Sequence, residues 1–275
     1  MEEKNEFLKK EEYEEPACPL CRTPEIRRIP TDRVISKLDS YLGRNDYSSA
    51  ERHLKYWLAE ATDGGDDRGR LTILNEQIGL YRKTGKKAEG LETILRALEL
   101  SESDEFSGTV TVGTTYINAA TGYKAFSMPE EALPLYKKAQ KIYEEQLEPE
   151  DERLGGLYNN MALTVMSLGG YAEARVYFER ALEIMSRKTH GEPEMAITCL
   201  NLATLTEAEK GLEDGEAEIG EYLDRAEELL DTPDIPQDGN YAFVCEKCAG
   251  VFGYYGRFIT EQTIRERSNK IYERS

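Results

Sequence analysis

With 35 basic and 53 acidic side chains among 275 residues, the chain carries a formal charge of −18, which disfavours nucleic acid and anionic membrane as partners and favours basic ones. Only 39% of residues are apolar, no stretch approaches the length of a membrane span, and the start MEEKNEFLKKEEYEE has no apolar signal core, so neither insertion nor export is expected. Five cysteines are an odd number and too few for a disulfide scaffold, which predicts a reduced, cytoplasmic protein.

Residues 1–30 read as a polar extension. Pro16, Pro19 and Pro24 exclude a regular helix there, and Cys18 and Cys21 form a CxxC pair between them. Thr31 is a good helix N-cap and Asp32 adds negative charge to the first turn. From there the spacing predicts helical hairpins. The first covers about residues 31–60, with its first helix ending near Leu42 and its second starting near Tyr47. Residues 63–67, DGGDD, are a turn; they lack the ligand number and closing glutamate of a calcium loop. The second hairpin covers about 70–99 and is split at Thr84, Gly85 and Lys86.

The third begins near Thr109. Its run Thr109, Val110, Thr111, Val112 favours a strand by propensity, but the register of Tyr116, Ala119 and Ala120 predicts helix. Pro129 fits the first turn of its second helix, and Pro134 is expected to bend that helix slightly. The fourth, 155–187, is the clearest. Leu157, Tyr158, Met161, Ala162 and Val165 fall on one helical stripe, Ala174, Tyr177, Phe178, Ala181 and Leu182 on another, and Gly169-Gly170 joins them. Residues 190–193 are read as its end. The fifth covers about 196–230, with an extra turn expected between Gly211 and Gly220, and the sixth covers 241–275.

These hairpins are repeats. Counting back from Tyr158, Asn160, Ala162, Ala174 and Ala181, the same residue types recur 42 positions earlier at Tyr116, Asn118, Ala120, Ala132 and Ala139. A single hairpin cannot bury both faces and needs such neighbours. The small residues at Ala120, Ala162 and Ala203 in the first helix, and at Ala97, Ala139, Ala181 and Ala226 in the second, resemble the tetratricopeptide repeat. The phrase LYNNMALTVMSLGGYAEARVYFERALEI is most similar to the kinesin light chain type. The resemblance covers about residues 31–275. It implies an all-α, right-handed superhelix of about six hairpins, with first (A) helices lining a concave face. It also implies a non-enzymatic scaffold that binds a protein or peptide segment there.

The candidate binding residues follow from that register. Asn118, Asn160 and Asn201 occupy one A-helix slot in three consecutive repeats, and Asn75 and Asn159 lie one slot earlier in theirs. Asparagine is a poor mid-helix residue, so its recurrence asks for a reason. Its amide can clamp the backbone of an extended peptide, or bond to the neighbouring helix and tighten the stack; both remain open. Four positions after the small A-helix residue come Arg82, Lys124 and Met166, where the two cations could meet an acidic group. Glu76 and Met166 depart from the pattern of domains that grip a terminal carboxylate.

A second CxxC pair, Cys245 and Cys248, falls on the packing slots of Tyr158 and Met161, so core packing is the expected role. The alternative is a self-associating module stitched by zinc through Cys18, Cys21, Cys245 and Cys248. No catalytic residue is nominated: the only histidines are His53 and His190, no phosphate loop or metalloprotease motif is present, and no cofactor is implied.

Overall fold

The computed structural model describes residues 26–103 and 105–274; Cys18 and Cys21 lie outside them. Among the described residues there are twelve helices and no strand. The chain divides into two units, up to Ile73 and from Leu74 onward.

In the first unit, α1 (Thr31–Leu42) packs on α2 (Tyr47–Asp63). The Asp46 carboxylate caps α2 by accepting from the Ser49 amide at 3.0 Å. Val34, Leu38, Ala50, Leu54 and Leu58 form the buried seam. The turn read from residues 63–67 delivers Asp66 into the interior, only 4% exposed. Its Oδ2 accepts from the Ile29 amide at 2.9 Å, and its Oδ1 from the Gly69 amide at 3.0 Å. The second bond caps the helix that follows, α3 (Asp67–Thr84), which crosses the boundary between units. A Cβ on Gly69 would collide with both Asp66 and Ile29, so the close approach requires glycine.

In the second unit, α3 leads into α4 (Lys87–Ser101), and the pairs α5 (Val110–Ala125) with α6 (Pro129–Gln146), α7 (Glu152–Ser167) with α8 (Tyr171–Met185), α9 (Glu192–Lys210) with α10 (Leu212–Leu230), and α11 (Gly239–Tyr254) with α12 (Phe258–Tyr272) follow. Each pair packs internally, and the A helices touch in series: α5 on α7, α7 on α9, α9 on α11. Ala120, Ala162, Ala203 and Ala249 are fully buried where these helices cross, and Ala139, Ala226 and Ser268 at the matching places in the second helices are 1% exposed or less. Ser268 satisfies its hydroxyl by donating to the Ala242 carbonyl at 3.0 Å. The turns between paired helices each carry one left-handed residue: Gly85, Ser127, Gly169, Gly211 and Gly256.

Three local expectations meet the structure directly. The β-branched run after Thr109 is helical, and the Thr109 side chain caps it through the Val112 amide; repeat packing overrides strand propensity. Residues 192 and 193, read as the end of the fourth repeat, instead begin α9, because proline is well placed in a helix's first turn. The extra turn of the fifth repeat lengthens both of its helices, to 19 residues each, on either side of Gly211.

Candidate peptide-binding face

The five candidate asparagines all lie on A helices of the second unit, and four of them pair. Asn118 Nδ2 donates to Asn75 Oδ1 at 3.1 Å, while Asn75 Nδ2 donates to the hydroxyl of Thr115 at 3.0 Å. The arrangement recurs two repeats later. Asn201 Nδ2 donates to Asn159 Oδ1 at 3.0 Å, and the Thr198 hydroxyl lies 3.4 Å from the same oxygen. In both cases an asparagine on one A helix meets a Thr-x-x-Asn pair on the next.

The junction between α5 and α7 lacks this bridge, and the sequence says why. The slot that holds Asn75 and Asn159 in their repeats holds Ile117 in the third, and the slot of Thr115 and Thr198 holds Leu157 in the fourth. Leu157 is 1% exposed and packs as an apolar residue. Asn160 therefore has no bridging partner, and its half-buried amide makes no hydrogen bond with any described side chain. The two threonines were not singled out by sequence reasoning; their three-residue spacing from Asn118 and Asn201 was the available signal.

Arg82 and Lys124 are in the last turns of α3 and α5, where the helix dipole favours positive charge. Neither forms an ion pair with a described residue, although the chain has 53 acids. Arg82 is exposed and Lys124 half-buried. Burial, and then the nearby Arg82 charge, push the Lys124 ammonium down to about 8. Beneath them Tyr136 is fully buried, its hydroxyl 2.9 Å from that of Thr121; burial pushes the phenol up to about 12.

The same slot continues past Met166 to Glu207, which the sequence reading passed over. Its two carboxylate oxygens accept one hydroxyl each from Tyr254 and Tyr255, both at 2.6 Å. The row thus runs from cations on α3 and α5, through Met166 on α7, to an anion on α9.

Cys245 and Cys248 are 0% and 1% exposed, in a core they share with Cys199, Leu223 and Phe252. Burial pushes all three thiols up, Cys199 to about 11. Among the described residues no group of three His, Cys, Asp or Glu side chains could hold a metal, and no helix is long and apolar enough to cross a membrane.

The serial A-helix contacts, the small residues at each crossing and the 42-residue register define a tetratricopeptide-repeat solenoid, and residues 155–194 match the tetratricopeptide repeat family. The repeats are similar to those of kinesin light chains. Protein KINESIN LIGHT CHAIN-RELATED 1 of Arabidopsis thaliana is 28% identical over 145 residues, a match that covers 47% of this chain and 22% of that relative's length. The kinesin light chain nearly identical TPR-like repeats of Podosopora anserina superpose with a TM-score of 0.53 at 17% identity, covering 74% of this chain and 94% of that one. NprR, solved in complex with its cognate peptide NprX, superposes with a TM-score of 0.57 at 16% identity, covering 88% of this chain and 68% of that one.

Proposed function

We propose that this chain is a non-enzymatic, cytoplasmic scaffold that holds an extended protein or peptide segment along the groove lined by its A helices. The observation that carries the reading is the pair Arg82 and Lys124: two cations on adjacent A helices of a strongly acidic chain, without an acidic partner among the described residues, one of them partly desolvated. The two cations repel each other and Lys124 is partly desolvated, and an acidic group on a ligand offsets both costs by direct attraction. Asn160 supplies an uncommitted amide on the same face. Asn118 and Asn201 each spend one N–H on a bridge, which leaves their carbonyls to meet backbone amides of the ligand, while Asn75 and Asn159 set the spacing from below. The peptide-bound NprR, which shares the fold, is consistent with this use of the groove.

Self-association through a four-cysteine zinc site is the weaker reading. It requires Cys245 and Cys248 to leave a packed core and ionise where burial opposes ionisation.

Selection of a random peptide library on the intact chain tests the proposal. Selected peptides should be enriched in aspartate, glutamate or a free terminal carboxylate. Their affinity should fall about tenfold or more for Arg82→Ala/Lys124→Ala, and measurably for Asn160→Ala. Selection without acidic enrichment, or peptides that bind the double variant as tightly as the intact chain, would sink it.

A further inference from the structure

A second surface lies where α10 begins and α11 ends, beside Glu207 at the end of the A-helix row. α9 and α10 are 19 residues each, whereas α11 and α12 have 16 and 15. Where the longer pair outreaches the shorter, a cleft of 640 Å³ opens. Its walls are Leu212, Ile219 and Leu223 from α10 and Tyr254 and Tyr255 from the end of α11. Leu212 and Tyr254 are 53% and 67% exposed, so apolar surface here is left to water. Tyr254 is held in place by its 2.6 Å bond to Glu207 and its edge-to-face contact with Tyr255 at 4.9 Å.

Gly220 is at the floor. It lies in the interior of α10, where glycine is among the poorest helix formers, and a Cβ built on it meets nothing within 4 Å. Packing does not demand the glycine, and the space in front of it is open. Gly215 on the same helix differs, since its Cβ would press on Thr206 and Ile219.

The charge around the cleft is one-sided. Glu213 and Glu216 line it and pair with no cation among the described residues. Their neighbour Glu218 is taken by Arg175 at 2.9 Å and Lys210 at 2.6 Å. Arg257, the cation of the lining, is taken by Asp224 at 2.6 Å. We infer that this cleft docks a basic partner segment, one that seats an aliphatic or aromatic side chain over Gly220 and sets a flanking lysine or arginine against Glu213 and Glu216. Apolar walls supply the anchor pocket and the unpaired carboxylates select the sign of the flank.

The test uses the full chain and a fluorescein-labelled, end-capped peptide of alternating arginine and leucine, read by anisotropy. One comparison peptide replaces each leucine with serine and keeps the charge; another replaces each arginine with glutamate. Gly220→Leu fills the cleft from its floor and should weaken binding roughly tenfold or more while the helical melting curve stays in place or moves up. Glu213→Gln/Glu216→Gln should weaken it similarly, and Glu130→Gln/Glu131→Gln, the same charge change on α6, should change it less than about twofold. Both comparison peptides should bind poorly. Equal weakening by the α6 variant, strong binding of the serine peptide, unaltered binding to Gly220→Leu, or no binding to the intact chain would each overturn the inference. So would a concentration-dependent dimer of the free chain that Gly220→Leu abolishes, since the cleft would then hold a second copy.

Discussion

Asn201 donates to the side-chain carbonyl of Asn159 at 3.0 Å, joining α9 to α7 by a bond between chemically identical groups 42 residues apart. Asn118 and Asn75 repeat it between α5 and α3, two hairpins earlier. Such bridges fix the register of adjacent A helices where small buried residues alone would let them slide.

The bridges predict a division among the asparagines. Asn159→Ala removes the acceptor for Asn201 and should cost about 1 kcal/mol of stability, the ordinary size of a net hydrogen bond. Asn160→Ala should stay within about 0.5 kcal/mol of the intact chain. Urea unfolding followed by circular dichroism measures both. Equal destabilisation by the two variants would mean that the α5–α7 junction is braced through Asn160 after all.

Lys124 gives a pH signature. Its ammonium ionises near 8 in the folded chain against 10.5 in the unfolded reference. The unfolded state therefore holds the proton more tightly, and the lysine opposes folding in full below pH 8. The penalty shrinks as pH rises from 8 and is gone above 10.5. Lys124→Met should accordingly be stabilised relative to the intact chain at pH 7, with the difference narrowing across that window. An acidic ligand that pairs with Lys124 needs the protonated form, so its affinity should be flat below pH 8 and fall above it. Melting curves and titrations at pH 7, 8, 9 and 10 read both slopes.

Gly90 and Gly220 should respond oppositely to alanine. Later repeats carry alanine at the position of Gly90, so the repeat pattern alone predicts a gain of roughly 1 kcal/mol in helix propensity. In the structure the ring of Phe126 fills the space, 2.5 Å from where a Cβ would be. Overpacking of this kind costs about 1–3 kcal/mol, so Gly90→Ala should lower the melting temperature. Gly220→Ala, with open space in front of it, should raise it.

Asp66 is the stability anchor of the first unit. Its carboxylate is buried and accepts two backbone amides, from Ile29 and Gly69. Asp66→Ala leaves both donors unsatisfied and should cost about 2 kcal/mol or more. Amide exchange at Ile29 and Gly69 should accelerate well beyond that at Leu100 or Leu205.

The three described cysteines should be chemically silent in the folded protein. Dithionitrobenzoate should label Cys199, Cys245 and Cys248 only on unfolding, with the sites identified by mass spectrometry, because burial keeps their thiols neutral. Fast native labelling of Cys245 or Cys248 would revive the zinc reading.

Much of the fold was legible because it is periodic. The helical stripes, the small residues at each crossing and the tight turn at Gly169-Gly170 follow from local pattern repeated at one interval, and one interval suffices to stack hairpins. The packing role of Cys245 and Cys248 was legible for the same reason. The register also brought out Asn118, Asn160 and Asn201 as one row, but it made them look equivalent. Whether a given asparagine is bonded depends on its neighbour in the next repeat, and Ile117 and Leu157 interrupt the ladder at Asn160 while Thr115 and Thr198 complete it elsewhere. The position of Phe126 over Gly90, the buried carboxylate of Asp66 and the cleft above Gly220 likewise depend on residues far apart in the chain. The sequence by itself determined the class of helix, the hairpin turns and the slots. The tertiary structure alone decided which side chains in those slots are spent on each other and which are left for a partner, because hydrogen bonding and desolvation are set by contacts across helices and not by position along them.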